Sequence, residues 1–382
     1  MEKEKILNLI KITSNIATVF FIGLIIVGLA DDKKINSQNW VVFKSDSEIT
    51  SKTELAEKVS ISTPTKKVSK EIEPCPKSNT DFDCYNDYYK NLVLKKGVPE
   101  AMKVLKDEYS KNQYVVAQCH PLTHVIGHAA VSLYPTVSEA FTNGDAYCWS
   151  GYYHGVMEEV SERIGLNKIA GELNNICKDI PGKEKYSFDY YNCVHGLGHG
   201  VMAVSENNLF NSLKLCDNLV GGWEQSSCYG GVYMENIIIE GQGEHTDYLK
   251  PSDPLYPCNS VENKYKSSCY LMQTSYALKV YNQDFSKVFA LCRKADTGFE
   301  DICWQSLGRD ASGSTSSNAE ATRAKCYFGE NYRERSNCVV GAVKDFISYF
   351  HSDIEAKKFC SILTDDLKLV CLDVATAYYK SF

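Results

Sequence analysis

From residue 75 onward, apolar side chains recur at helical spacing in blocks separated by short polar turns. Seven blocks begin at a cysteine: CWSGYYHGVMEEV, CVHGLGHGVMAVS, CYGGVYMENIIIE, CYLMQTSYALKVY, CWQSLGRDASGST, CVVGAVKDFISYF and CLDVATAYYKSF. Residues three and four apart share a helix face, so each block predicts an amphipathic helix. Shorter apolar stretches ending at a cysteine, such as Ser286 to Cys292 and Glu355 to Cys360, predict a partner helix before it. Pro251, Pro254 and Pro257 break this pattern, and an extended loop is expected from about Gly241.

The amino-terminal pattern is different. Residues 12–30 are uncharged and strongly apolar in their second half, and they follow Lys3, Lys5 and Lys11. Nineteen such residues just span a bilayer, which predicts a transmembrane signal-anchor with residues 1–11 in the cytoplasm. Gly28 and Ala30 keep a cleaved signal peptide, and hence secretion, open as the alternative. Residues 31–74 are rich in Ser, Thr, Lys and Glu without apolar period and read as a disordered stalk. A His-rich helical region at 75–204 and C-terminal helical repeats at 205–382 follow.

All sixteen cysteines fall into successive pairs: Cys75/Cys84, Cys119/Cys148, Cys177/Cys193, Cys216/Cys228, Cys258/Cys269, Cys292/Cys303, Cys326/Cys338 and Cys360/Cys371. An even count without CxxC zinc spacing or CxxCH haem attachment points to disulfides and an extracytoplasmic domain. The second cysteines of the last seven pairs are 33 to 45 residues apart, which suits a helix-turn-helix unit. Gly151, Gly196, Gly231 and Gly341 each stand three after such a cysteine, a position consistent with close helix packing.

Unit length, paired helices and periodic cysteines resemble the tetratricopeptide and Sel1-like helical repeat proteins, particularly their disulfide-bridged secreted forms, over roughly Cys84 to Phe382. The cysteine spacing and the HGLGHG segment do not match a signature of those families. The expected fold is all-α, a repeat solenoid or α-α superhelix stiffened by nearest-neighbour disulfides. The resemblance implies a concave surface able to bind a peptide, glycan or envelope protein.

Six of eight histidines fall between His120 and His199, as His120-x3-His124-x3-His128, His154-x3-Glu158 and His195-x3-His199. Four-residue spacing stacks side chains on one helix face, which a helical metal site needs. His124, His128, His154, His195 and His199 are therefore candidate metal ligands, with Glu158 as general base or further ligand. His120, beside Pro121 near the helix cap, is left out of this set. Imidazole and carboxylate suit a divalent transition metal such as Zn, Fe or Cu without selecting among them. His154 and His199 stand six after their cysteines, and the same position continues through Met234, Ser275, Arg309 and Lys344 as an expected ridge.

A net charge of −7 and the lack of a basic stripe argue against a nucleic-acid surface. HExxH, GxxxxGK[ST] and GxSxG are absent from the sequence. A metal-dependent hydrolase or oxidoreductase leads. A disulfide-stiffened binding scaffold and a copper or haem protein remain the alternatives.

Overall fold

The helices follow from capping and apolar spacing. Ser187, Asn208, Asp284, Asn318 and Asn331 stand just before helices and accept hydrogen bonds from backbone N–H groups of the first turn, as N-caps do. Thr136 and Glu139 form a reciprocal capping box. Each of three long-to-short helix turns uses two successive left-handed residues: Glu206 and Asn207, Asn282 and Gln283, Ser316 and Ser317. An Asn or Asp cap follows directly in each case.

A computed structural model describes residues 74–76, 81–241 and 246–381. They contain α1 (Phe82–Lys96), α2 (Val98–Tyr109), α3 (Gln113–Ala117), α4 (Cys119–Ala130), α5 (Val137–Thr142), α6 (Gly151–Ile164), α7 (Leu166–Ile176), α8 (Phe188–Val204) and α9 (Leu209–Cys216). There follow α10 (Gly222–Gly241), α11 (Asn263–Val280), α12 (Phe285–Cys292), α13 (Glu300–Gly313), α14 (Ala319–Cys326), α15 (Tyr332–Phe350), α16 (Ile354–Ser361) and α17 (Asp365–Lys380). No strand occurs among the described residues, so the expected all-α class holds. Residues 246–262 carry turns and no helix, as the prolines require.

The proposed membrane segment at 12–30 and residues 31–73 of the stalk lie outside the described residues. No described helix is long and apolar enough to cross a membrane. All described residues belong to one compact unit spanning Ser69–Phe382.

The eight nearest-neighbour pairs are disulfide-bonded. Cys216, Cys292 and Cys326 end the short helices α9, α12 and α14, and each bonds into the following long helix. The bond thus clamps the turn between two helices. In the chain-entropy model, closing loops of this size contributes roughly 2 to 3 kcal/mol each.

Long helices pack in chain order, α4 on α6, then α8, α10, α11, α13, α15 and α17, with the short helices wedged between neighbours. Helices far apart in this series also meet. Trp149, just before α6, lies 5.5 Å from Tyr349 of α15, and Phe188 stacks on His351 at 4.3 Å between ring centres. Residues of α6, α8, α10, α11, α13, α15 and α17 line a common interior cavity.

Candidate metal centre

The site starts with how close α4, α6 and α8 lie. A Cβ on Gly155 would come within 2.1 Å of the His124 carbonyl oxygen, and one on Gly127 within 2.1 Å of the Tyr152 carbonyl. Gly198 likewise faces the Cys228 carbonyl of α10, at 2.2 Å from its would-be Cβ. No side chain fits at these crossings, so backbones touch and the four-spaced histidines of neighbouring helices are drawn together. That accounts for the glycines interleaved in HGLGHG.

Rings from three helices form one cluster. His154 stacks on His199 with centres 4.1 Å apart, and His195 lies 5.2 Å from His154. His124 lies 5.5 Å from His154 and 5.8 Å from His199, with His120 4.7 Å from His124. His124, His154, His195, His199 and Glu158 are all buried, with exposures of 0 to 8 %. Three groups of donors could each hold a metal ion: His120, His124 and His154; His154, His195 and His199; and His124, Glu158 and His199. Within each group the ligand atoms lie within 4.8 Å of one another.

Outer partners fix which nitrogen faces the cluster. His120 Nδ1 is 2.7 Å from the Cys148 carbonyl oxygen, to which only a protonated nitrogen can donate. This leaves its Nε2, 3.1 Å from His124 Nε2, as a lone-pair donor. Two ligand nitrogens on one ion, with bonds near 2 Å at a tetrahedral angle, stand about 3.3 Å apart. His199 Nδ1 donates to Glu235 Oε2 at 2.6 Å, so its lone pair is on Nε2. That arrangement, carboxylate to histidine to ion, orients metal ligands generally.

Three buried atoms in the cluster make no hydrogen bond: His154 Nδ1, His199 Nε2 and Glu158 Oε1. Glu158 Oε1 is 2.9 Å from His124 Nδ1, without an aligned hydrogen bond. Leaving buried polar groups unpaired costs roughly 1 to 3 kcal/mol each, and an ion would remove that cost.

Protonation states favour a cation. Burial, reinforced by the neighbouring histidines, holds His154 and His199 well below the usual imidazole range. Burial also brings His195 to about 4 and, with His124 beside it, His120 to about 3. These rings are neutral near pH 7, the form that binds metal. Burial alone would raise Glu158, but His124 and His128 outweigh it and hold the carboxylate well below its usual range.

His128 has another position. It lies outside the three donor groups, with Nε2 2.7 Å from Glu158 Oε2 and Nδ1 3.3 Å from Glu159 Oε2. Burial opposes its protonation, yet the Glu158 and Glu159 bonds prevail and raise it to about 9. His128 therefore holds Glu158 in place as a cation. His120 and Glu235 are the residues that sequence spacing left out. The four-residue step from His124 was a signal for His120, whereas Glu235 had only its place beside Met234 in the next unit.

The cluster stands between two openings. His124, His128, Glu158, Glu159 and Glu235 line a groove of about 460 Å³ with Lys90 and Pro121. His154 and His195 face the interior of the array, in a cavity of about 170 Å³ with Met234, Met272, Arg309 and Lys344. Of the expected ridge, His154, Met234, Arg309 and Lys344 line this cavity, Ser275 lines a neighbouring one, and His195 takes the place expected of His199.

No protein-family profile, curated protein or solved structure matches this chain. Its chemistry rests on the geometry above.

Burial also sets a pH dependence. The folded-state pKa of His195 lies below its unfolded value, so an unfolded chain takes a proton that the native fold refuses. The stability it confers is complete above about pH 6.5 and is lost as pH falls toward 4. Metal-stripped protein should therefore lose on the order of 2 kcal/mol from His195 alone between about pH 6.5 and 5, with His120 adding to it. His128 has the opposite sign, contributing below its unfolded value and losing that contribution as pH rises through about 9. Urea unfolding of chelator-treated protein across this range checks it, and equal midpoints at pH 7 and 5 would contradict it.

Proposed function

We propose that the chain is a metal-dependent enzyme, anchored or secreted with this domain outside the cytoplasm, whose ion is held by His154, His195 and His199 at the wall of the interior cavity. The observation that carries this reading is the set of buried unpartnered donors, His154 Nδ1 and His199 Nε2 above all. Any two of the three donor groups share a histidine, so one complete site is the minimum, with His120, His124 and Glu158 as the donors beside it. Three protein ligands with a further position toward a cavity is the pattern of catalytic rather than structural zinc.

Such an ion supplies Lewis acidity and lowers the pKa of water. Glu158 is ionised, held by His128, and stands with His124 and His199 in one of the three donor groups, where it suits a proton acceptor or a further ligand. Hydrolysis is the leading reaction class and oxidation follows if the ion is iron or copper. The eight disulfides support an oxidising compartment, and the recurring turn and helix pairs support a repeat architecture. A second reading, copper binding without turnover, draws on Met234 and Met272 lining the same cavity as His154 and His195.

Ester, peptide and phosphate substrates and redox donors, screened with loaded and chelated protein, test the proposal. With a substrate in hand, Glu158→Gln should keep most of the metal and lower turnover on the order of 100-fold. Unchanged turnover would remove Glu158 as base, and loss of metal together with turnover would make it a ligand. Chelation that changes no activity would reject the enzymatic reading in favour of a binding scaffold.

A further inference from the structure

Across the interior from the histidines, α13 and α15 bring charged side chains to the same space. The 170 Å³ cavity and a neighbouring one of about 350 Å³ share Trp149, Met234, Met272, Arg309 and Asp345 in their walls. Together they reach the size of small-molecule sites, which also combine an apolar lining with few polar groups. Most of the charges here are already paired. Arg309 binds Asp310 at 2.8 Å, and the other Asp310 oxygen accepts from Thr274.

Lys344 is the exception. Its amine donates to the side-chain oxygen of Gln305 at 3.0 Å and lies 5.9 Å from the centre of the Tyr378 ring. Neither contact carries a negative charge, and among the described residues no carboxylate forms an ion pair with it. Burial accordingly lowers its pKa. Next to it Asp345, only 9 % exposed, has a buried Oδ2 without a hydrogen bond. Burial raises that carboxyl to about 7, so a large share of it is protonated at neutral pH and able to donate. The cavity therefore holds an uncompensated cation and an unused polar atom on one wall, His154 and His195 on the other, and Trp149, Leu271, Met272 and Tyr349 between them. A half-buried cation without a counter-charge is disfavoured, and an anion entering the cavity supplies one.

We propose that the interior cavity is the substrate pocket of the metal centre and selects a small organic anion, its carboxylate or phosphate head paired with Lys344 and its apolar body lying toward His154 and His195. This rests on the functional reading above and adds the substrate class to it. Calorimetric titration of the full, oxidatively folded protein with phenylacetate, phenyl phosphate and the neutral phenylacetamide tests the pairing. Either anion should bind at least about tenfold more tightly than the amide, and the tighter of the two identifies the head group. Lys344→Gln should remove that preference without changing amide binding or metal content, and Lys344→Arg should restore it. Equal affinity for anion and amide, no binding of either anion at millimolar concentration, or an unchanged preference in Lys344→Gln would each overturn the proposal. The wild-type comparison stands even if a variant fails to fold. Metal content is read separately, so loss of the anion site and loss of the metal site are told apart.

Discussion

Gly155→Val is expected to detach the α4 donors from the metal centre although it touches no ligand atom. The new side chain would begin 2.1 Å from the His124 carbonyl oxygen and 2.7 Å from the His124 Cα, both backbone atoms that cannot swing aside. α4 and α6 must then separate, which carries His120 and His124 away from His154 and Glu158. Overpacking of this kind costs about 1 to 3 kcal/mol or more in stability. The donor groups that mix α4 with α6 or α8 depend on ångström-scale spacing, so an ion held with His120 or His124 should lose at least about 100-fold in affinity, while His154, His195 and His199 keep theirs. Gly171→Ala is the control, because nothing lies within 4 Å of its would-be Cβ in α7. It should leave metal untouched and stabilise the fold by roughly 0.5 to 1 kcal/mol. Metal affinity and thermal unfolding measured on both variants decide it, and a Gly155→Val protein as stable as the wild type would refute the packing account.

His199→Ala and Glu235→Ala should separate a ligand from the group that orients it. His199 belongs to two of the three donor groups, and its Nε2 is among the buried atoms without a partner. Its removal should weaken binding by about 1000-fold or more, beyond the range for an outer partner. Glu235 reaches the ion through His199 Nδ1, and losing such a partner typically reduces affinity 10- to 100-fold. Chelator competition on the two variants reads this order directly. A larger loss in Glu235→Ala than in His199→Ala would reverse the roles assigned here.

Much of this fold was legible because local rules agree with tertiary structure. Cysteines 11 or 12 apart at a helix-turn-helix junction are brought close by the turn, so the pairs Cys292/Cys303 and Cys326/Cys338 followed from the repeat. The four-residue spacing brought His154 and Glu158, and likewise His195 and His199, to one helix face, and the structure gathers them. What spacing could not supply was rotation between helices. His128 shares a helix face with His124 but sits one turn farther along, where α6 presents Glu158 and Glu159 instead of histidines. His120 looked like a capping residue, yet the Cys148 carbonyl turns its ring inward. The contact of Trp149 with Tyr349 was also invisible to a local pattern, since it joins residues far apart in the sequence.

The central claim is that the buried histidine cluster holds a transition-metal ion. Elemental analysis of the oxidatively folded domain, purified without added metal, addresses it most directly, alongside the double variant His124→Ala/His199→Ala. These two residues between them enter all three donor groups. The account predicts a stoichiometric transition metal in the wild type and none in the double variant. Metal-free wild-type protein that added zinc, iron or copper does not stabilise against unfolding, or metal retained in the double variant, would contradict it.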